Sequence, residues 1–442
     1  MPSIAALRRD PDSDGRGGRT FLGHRPERLL RTLLVAVALG AFGGLVTVVF
    51  IRVYEWGNDQ IWTELPDALD VSPDDWYFII PTVLVGAVLL GVARRTLGEY
   101  PVSIEQAITD HKRDGEFDRH HIWQAMVVAL VSLWAGAALG PEAALTAILG
   151  GLCSWVARVI DANTTEGSDL AYVGIGGALG ALFGTAGAAA LTLDSQSTDG
   201  HDARTGRLWR LLPALLAAWG GLHIYRWLGS SNGYFDLGLP DYDFHVSDLG
   251  WALLVAAGSA AAGLIYLAVK RVLGPALAPL RAWPVVEAVV GGLGLALLAC
   301  WSSLVLFSGH EGTDEIIARV GTDSAGFLVA VALAKLAAAA LLLGTRWKGG
   351  QFFPLMFVGA ALGLAATQAF SGVAEVPAVA AGMTAIVGVL LMRPLGAALL
   401  MFLFFPPPAW PAVVLAAVLG SILGRRLGPL VSGVPTPAPA QE

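Results

Sequence analysis

The stretch Leu139–Thr146, "LGPEAALT", places one carboxylate, Glu142, inside an apolar region with no Lys, Arg or His beside it. It follows "AMVVALVSLWAGAA" and runs into "AILGGLCSWVA". At bilayer depth such a group costs about 2.5–3.5 kcal/mol on insertion scales, unless it is protonated or faces a wet cavity. Burial and anion-binding amides pull its protonation in opposite directions. A carboxyl group balanced in this way can exchange between occupying an anion site and accepting a proton. The competing reading is a Glu near a helix end whose side chain reaches interfacial water.

The surrounding chain identifies the solvent. Its 442 residues are 55% hydrophobic and only 14% charged, with mean hydropathy +0.63, whereas soluble domains carry about 25% charged residues. Apolar runs such as "LLRTLLVAVALGAFGGLVTVVFI", "WYFIIPTVLVGAVLLGVA" and "LGWALLVAAGSAAAGLIYLAV" recur along the chain. As helices, they match the thickness of a bilayer. The pattern predicts an all-α polytopic membrane protein with roughly ten to fourteen membrane segments, several of them short or broken. The 54 glycines suit helices that pack closely in lipid.

Other classes find little support. Cys153 and Cys300 both lie in apolar runs, so neither a disulfide framework nor a metal site is indicated. The net charge of −7 comes without a basic, aromatic-interleaved patch, which argues against nucleic-acid binding. No P-loop, haem motif or hydrolase elbow is present, so no cofactor and no enzyme activity are expected. Residues 1–28 read as a disordered tail, because the segment is polar and lacks an apolar core. Arg8, Arg9, Arg16, Arg19, Arg25, Arg28 and Arg31 outnumber its acids, which places this end in the cytoplasm. Arg425 and Arg426 do the same for the C-terminal end, where 429–442 reads as a second tail. Residues 29–428 between them are expected to form one transmembrane domain, with no soluble domain expected after it.

The two halves of that domain, roughly 29–230 and 245–428, resemble each other. "LGPEAALTAILGGL" follows one apolar helix, and "KGGQFFPLMFVGAALG" follows another about 210 residues later. "IGGALGALFGTAGAAALTL" has a counterpart in "AAGMTAIVGVLLMRPLGAALLMFL" at a similar offset. Both motifs set Gly or Pro directly before an apolar run, where a helix that starts inside the bilayer leaves free N–H groups. Repeat-built transporters bring such broken helices together near the midplane to hold an anion. In the second motif Gly350 allows close backbone approach, and Gln351, Phe352 and Phe353 supply N–H groups.

"GPEAALTAILGG" resembles the G-R/K-E-G-P motif of the CLC family of chloride channels and chloride/proton exchangers. "KGGQFFPLMFVGAALG" is similar to that family's G-x-F-x-P motif. "FSGHEGTDEIIARV" and "MRPLGAALLMFL" resemble its later segments, so the likeness spans Leu29 to Gly428. The resemblance implies an inverted-repeat homodimer in the cell membrane with an anion pathway in each subunit. Glu142 would be the gating glutamate. The backbone of Gly140, Glu142, Ala143, Gly350, Gln351, Phe352 and Phe353 would coordinate the anion.

Departures from the family pattern bear on mechanism. Pro141 replaces the usual Arg or Lys and removes one N–H donor, while Ala143 and Ala144 replace Gly-Pro. The family's G-S-G-I-P motif falls on "GEYPV", so the inner serine is absent and only Tyr100 offers a hydroxyl there. The inner tyrosine is missing from "PPPAW". For the inner proton-transfer glutamate, only Asp194 or Gln196 is available. Lys335, in "VALAKLAAAA", either raises the positive potential of the path or snorkels to water. His310 and Glu311 read as an interfacial loop pair, and Trp76, Tyr77 and Trp209 as interfacial belts.

The expected function is transport of small anions, chloride first, through a passive channel, since a second titratable station is not evident. Chloride/proton or fluoride/proton antiport is the alternative, and a pore-dead scaffold is the reading from another class.

Overall fold

A computed structural model describes residues 26–101, 118–159, 175, 180, 203–228, 237–402 and 404–432. The first half contains α1 (Pro26–Asp59), α2 (Trp76–Leu97), α3 (Ile122–Trp134), α4 (Glu142–Val159) and α5 (Ala203–Leu228). The second half contains α6 (Asp248–Ala276), α7 (Pro284–Ala299), α8 (His310–Ala318), α9 (Ala325–Gly344) and α10 (Phe352–Ala369). It closes with α11 (Glu375–Leu391), α12 (Pro394–Met401) and α13 (Trp410–Ser432). Among the described residues six helical spans are long and apolar enough to cross a membrane, and α3, α7, α11 and the Glu142–Val156 part of α4 are shorter apolar helices. The all-α membrane architecture expected from composition is therefore the observed one.

The ends of the helical region lie slightly outside 29–428. Helix α1 begins at Pro26 and α13 continues to Ser432. A proline at a first helical turn withholds only an N–H that would have no intrahelical partner, so the helix can start before the apolar run does.

Local chemistry sets the breaks. Helix α3 has 13 residues and spans about 20 Å, short of the roughly 30 Å hydrocarbon core. It ends at Ala135, and Gly136 turns left-handed with φ 81°. Residues 135–146 are all buried, which is the condition under which irregular backbone is tolerated at membrane depth. In the second half, Ser324 caps α9 by accepting from the Phe327 N–H (3.2 Å). Met392 ends α11 in the left-handed region, and Pro394 starts α12.

Close helix contacts rely on small residues. In α1, Gly40 and Gly44 lie against the backbone of Ala217 and Gly221 in α5, where a Cβ would overlap it. Helix α11 is sheathed by protein, with Val376 to Val389 buried throughout. Helix α2 instead has two faces: Ile79, Val83, Ala87 and Leu90 are buried, while Val85, Val88, Leu89 and Val92 are exposed. Trp76 and Tyr77 at its start are exposed too, and only the backbone of Trp209 in α5 is described.

Two expectations are corrected. His310 and Glu311 form the first turn of α8, not a loop, because Gly309 (φ 88°) turns the chain into a helix there. Lys335 does not snorkel, since its side chain is fully buried. Its Nζ donates to the carbonyls of Leu304 (3.0 Å), Leu306 (2.5 Å) and Phe307 (2.9 Å) and lies 5.1 Å from the Phe357 ring centroid. These carbonyls satisfy the ammonium more closely than distant water would.

Candidate functional site

Helices α4 and α10 have 18 residues each, and their first residues, Glu142 and Phe352, are 210 residues apart. The repeat read from the sequence is thus in register at both ends of these helices. The strands of chain that lead into them meet. Gly140 N–H donates to the Gly350 carbonyl (2.9 Å), and Gly350 N–H returns the bond to Gly140 (2.6 Å). This pairing is reciprocal, as a two-fold relation between halves demands. It also satisfies two buried amides that no helix supplies.

The Glu142 carboxyl group rests on this bridge. Glu142 is fully buried, and its Oε1 accepts the Phe352 N–H at 2.8 Å. The N–H groups of Phe353 and of Glu142 itself also bear on the carboxyl group. Oε2 has no direct hydrogen-bond partner among the described residues. A Cβ at Gly140 or Gly350 would overlap this carboxyl group, so glycine at both positions is what allows the approach. The acid therefore bridges the repeats, joining the start of α4 to the start of α10. Both helix N-termini carry partial positive charge, and their first N–H groups lack an intrahelical acceptor.

The remaining candidates are placed around this centre. Phe352 and Phe353 are buried, and the Phe353 ring lies against Gly140. Ala143 is buried in the first turn of α4. The Gln351 side chain turns towards α6, where its Oε1 accepts from Tyr266 Oη (2.7 Å) and Lys270 Nζ (3.1 Å). Tyr100 stacks its ring on His121, with centroids 4.3 Å apart. The "PPPAW" region holds Trp410, whose Nε1 donates to the carbonyls of Phe402 and Phe405. Asp194 and Gln196 lie outside the described residues, as does most of "IGGALGALFGTAGAAALTL". Among the described residues no three His, Cys, Asp or Glu side chains gather as a metal site would require.

The segment that feeds α10 is pinned along its length. Trp347 N–H donates to Leu342 O, its indole N–H to Ala288 O (3.0 Å), and Lys348 N–H to Ser132 Oγ (3.1 Å). Lys348 Nζ reaches the backbone carbonyl of Glu99 at 3.0 Å. The "GEYPV" loop therefore meets this segment through Glu99, the residue before the Tyr100 singled out in sequence. The signal that could have found it is the proximity of an acid to Arg94 and Arg95 at a helix end.

An inverted repeat whose paired broken helices converge on one buried carboxylate defines a class: helical membrane proteins with an anion-type site at the repeat interface. Residues 81–425 match the profile of the voltage gated chloride channel family, Voltage_CLC. The chain belongs to that family. It is 29% identical over 386 residues, 84% of this chain and 87% of the relative, to the "Putative ion-transport protein YfeO" of Escherichia coli O7:K1. The Shigella flexneri protein of that name is 28% identical over the same span. Among solved structures, a CLC-type fluoride/proton antiporter superposes with TM-score 0.73 at 17% identity, over 91% of this chain and 97% of that one. A slow cyanobacterial Cl−/H+ antiporter gives TM-score 0.76 at 15% identity, over 90% and 95%.

Proposed function

We propose that this protein carries small inorganic anions, chloride foremost, across the cell membrane, with Glu142 as the gate of the pathway. The observation that carries the reading is the position of the Glu142 carboxyl group, which takes the Phe352 N–H at the start of one half-helix from the first turn of another. A carboxylate and a halide ask the same of such donors, namely negative charge within hydrogen-bond reach. While the carboxylate is in place, the anion cannot be. Protonation weakens its hold on the N–H groups and frees them for a permeating ion.

The mode proposed is a passive channel, with membership of the CLC family as its background. Exchange of chloride or fluoride for protons, the activity named for the two solved structures, is the alternative mode. The molecule acts as a permease and not an enzyme, as a homodimer with one pathway per subunit and both termini in the cytoplasm.

Chloride-loaded liposomes containing the purified protein test this. Efflux is expected from wild type, and Glu142→Ala should pass anions with a flattened pH dependence. Efflux at full rate without a proton ionophore supports the channel, whereas efflux tied to proton movement supports exchange. Absence of efflux for chloride, fluoride and nitrate would leave the pore-dead scaffold as the reading.

A further inference from the structure

The repeat builds two equivalent corners away from the Glu142 site. In the first half, Arg52 near the end of α1 caps α5 by donating from Nη2 to the Leu228 carbonyl (2.7 Å). In the second half, Arg271 near the end of α6 caps α13 in the same way, from Nη1 to the Leu430 carbonyl (2.6 Å). A guanidinium at a helix C-terminus satisfies a carbonyl that has no intrahelical donor and meets the negative end of the dipole. The pairs α1–α5 and α6–α13 therefore carry the same cap, and an inverted repeat sets the two corners at opposite membrane faces. What surrounds each arginine differs. Beside Arg52 stand acids: Glu55 interacts electrostatically with it and also with Asp59 and Glu311. The corner at Arg271 gathers cations instead.

Three elements close this second corner. Arg425 in α13 donates from Nε to the carbonyl of Met392, the left-handed residue (φ 55°) that ends α11. The Met392 side chain lies against Gly428, where a Cβ would be 2.9 Å from its Cε. The α11–α12 turn is thereby tied to the last turns of α13, and Arg271 ties α6 to them. Arg271, Arg425 and Arg426 are all exposed. Among the described residues no carboxylate lies within ion-pair distance of any of the three. Arg271 uses Nη1 and Arg425 uses Nε on backbone carbonyls, so each keeps the rest of a planar donor fork for a ligand. Val272, Leu395 and Leu430, on the same three elements, are strongly exposed. Cations without acids, bordered by apolar surface, are complementary to a phosphate that carries acyl chains.

We propose that the corner formed by α6, the α11–α12 turn and α13 binds the headgroup of an anionic phospholipid. Arg271, Arg425 and Arg426 take the phosphate, whose oxygens match the guanidinium fork, and Val272, Leu395 and Leu430 meet the upper parts of the acyl chains. A choline lipid is a weaker ligand, because its own cation already balances the phosphate. The bound headgroup joins the ends of three helices that otherwise meet through two arginine–carbonyl bonds and the Met392 contact. The acids beside Arg52 oppose such a headgroup, which confines the site to one of the two equivalent corners. The site lies apart from the Glu142 carboxyl group and does not depend on which ion, if any, passes there.

The test is native mass spectrometry of the full-length protein released from mixed micelles that hold phosphatidylglycerol and phosphatidylcholine in equal amounts. Wild type is expected to retain phosphatidylglycerol in preference. Retention should fall about fivefold for each charge removed at the corner, so Arg425→Gln combined with Arg426→Gln should lose most of it. Arg95→Gln removes an exposed arginine at the end of α2, outside the corner, and should leave retention unchanged. A rise in melting temperature with added phosphatidylglycerol, present in wild type and absent from the double variant, is the second readout, and inorganic phosphate should not reproduce it. Should the double variant fail to fold, Arg426→Gln alone, which breaks no hydrogen bond among the described residues, carries the test. Equal retention of the two lipids would overturn the proposal. So would a loss in Arg95→Gln as large as in the corner variant, which would assign the effect to the general charge of that rim. A melting shift matched by inorganic phosphate would reject the lipid as the ligand.

Discussion

At Glu142 the side chain does what a dissolved anion would do, taking the N–H at the head of α10 from inside a site closed by two glycines. The glycines make that geometry testable. In Gly350→Ala the new Cβ would overlap the carboxyl carbon of Glu142, and the backbone cannot retreat because Gly350 is bonded to Gly140 in both directions. Overpacking of this kind costs about 1–3 kcal/mol. Gly350→Ala should therefore melt earlier than wild type, and adding Glu142→Ala should restore much of the loss, which a four-protein melting cycle would measure as coupling. Glu99 yields a pH prediction. Partial burial pushes its carboxyl up, but Arg94, Lys348 and Arg346 outweigh this and hold it below the ordinary 4.5. A depressed folded-state value adds stability that is present above pH ~4.5 and is lost as pH falls through the lower folded value. Wild type should lose melting temperature on acidification in that window, and Glu99→Gln should lose less.

Among the elements, α4 and α10 are the pair on which everything turns, and α9 holds the framework beside them. Lys335 in α9 donates to three carbonyls of the 304–307 turn, just before Gly309 opens α8. Lys335→Met would leave buried acceptors without a donor, at about 1–3 kcal/mol for each one that stays unsatisfied. A clear drop in thermal stability is expected. Efflux per folded protein tells whether Lys335 also contributes potential to the pathway: an unchanged rate assigns it to structure alone. The break between α3 and α4 was legible in the sequence as Gly and Pro ahead of an apolar run. The interaction that stabilises the break was not, because Gly350, whose N–H donates to the Gly140 carbonyl and whose carbonyl accepts the Gly140 N–H, lies 210 residues away in sequence.

For the whole molecule, the exposed apolar faces set the remaining expectation. Helix α13 presents Val414, Val418 and Ile422 on one side while Val413, Ala416 and Ala417 are buried. Such faces meet either lipid or a second subunit. A two-chain particle is expected by mass photometry in mild detergent, and a one-chain particle would remove the homodimer from the proposal. The sequence by itself determined that this is an all-α membrane protein with a repeat and an acid, Glu142, set in an apolar stretch with no basic residue beside it. Composition, apolar run length and spacing are local properties that a bilayer selects directly. Only the tertiary structure decided that Gly140 and Gly350 pair, that Glu142 is held by the opposite repeat, and that Glu99 meets the segment leading to it. Those are contacts between distant parts of the chain, and they exist only where packing has already brought buried N–H groups and charges within reach of their partners.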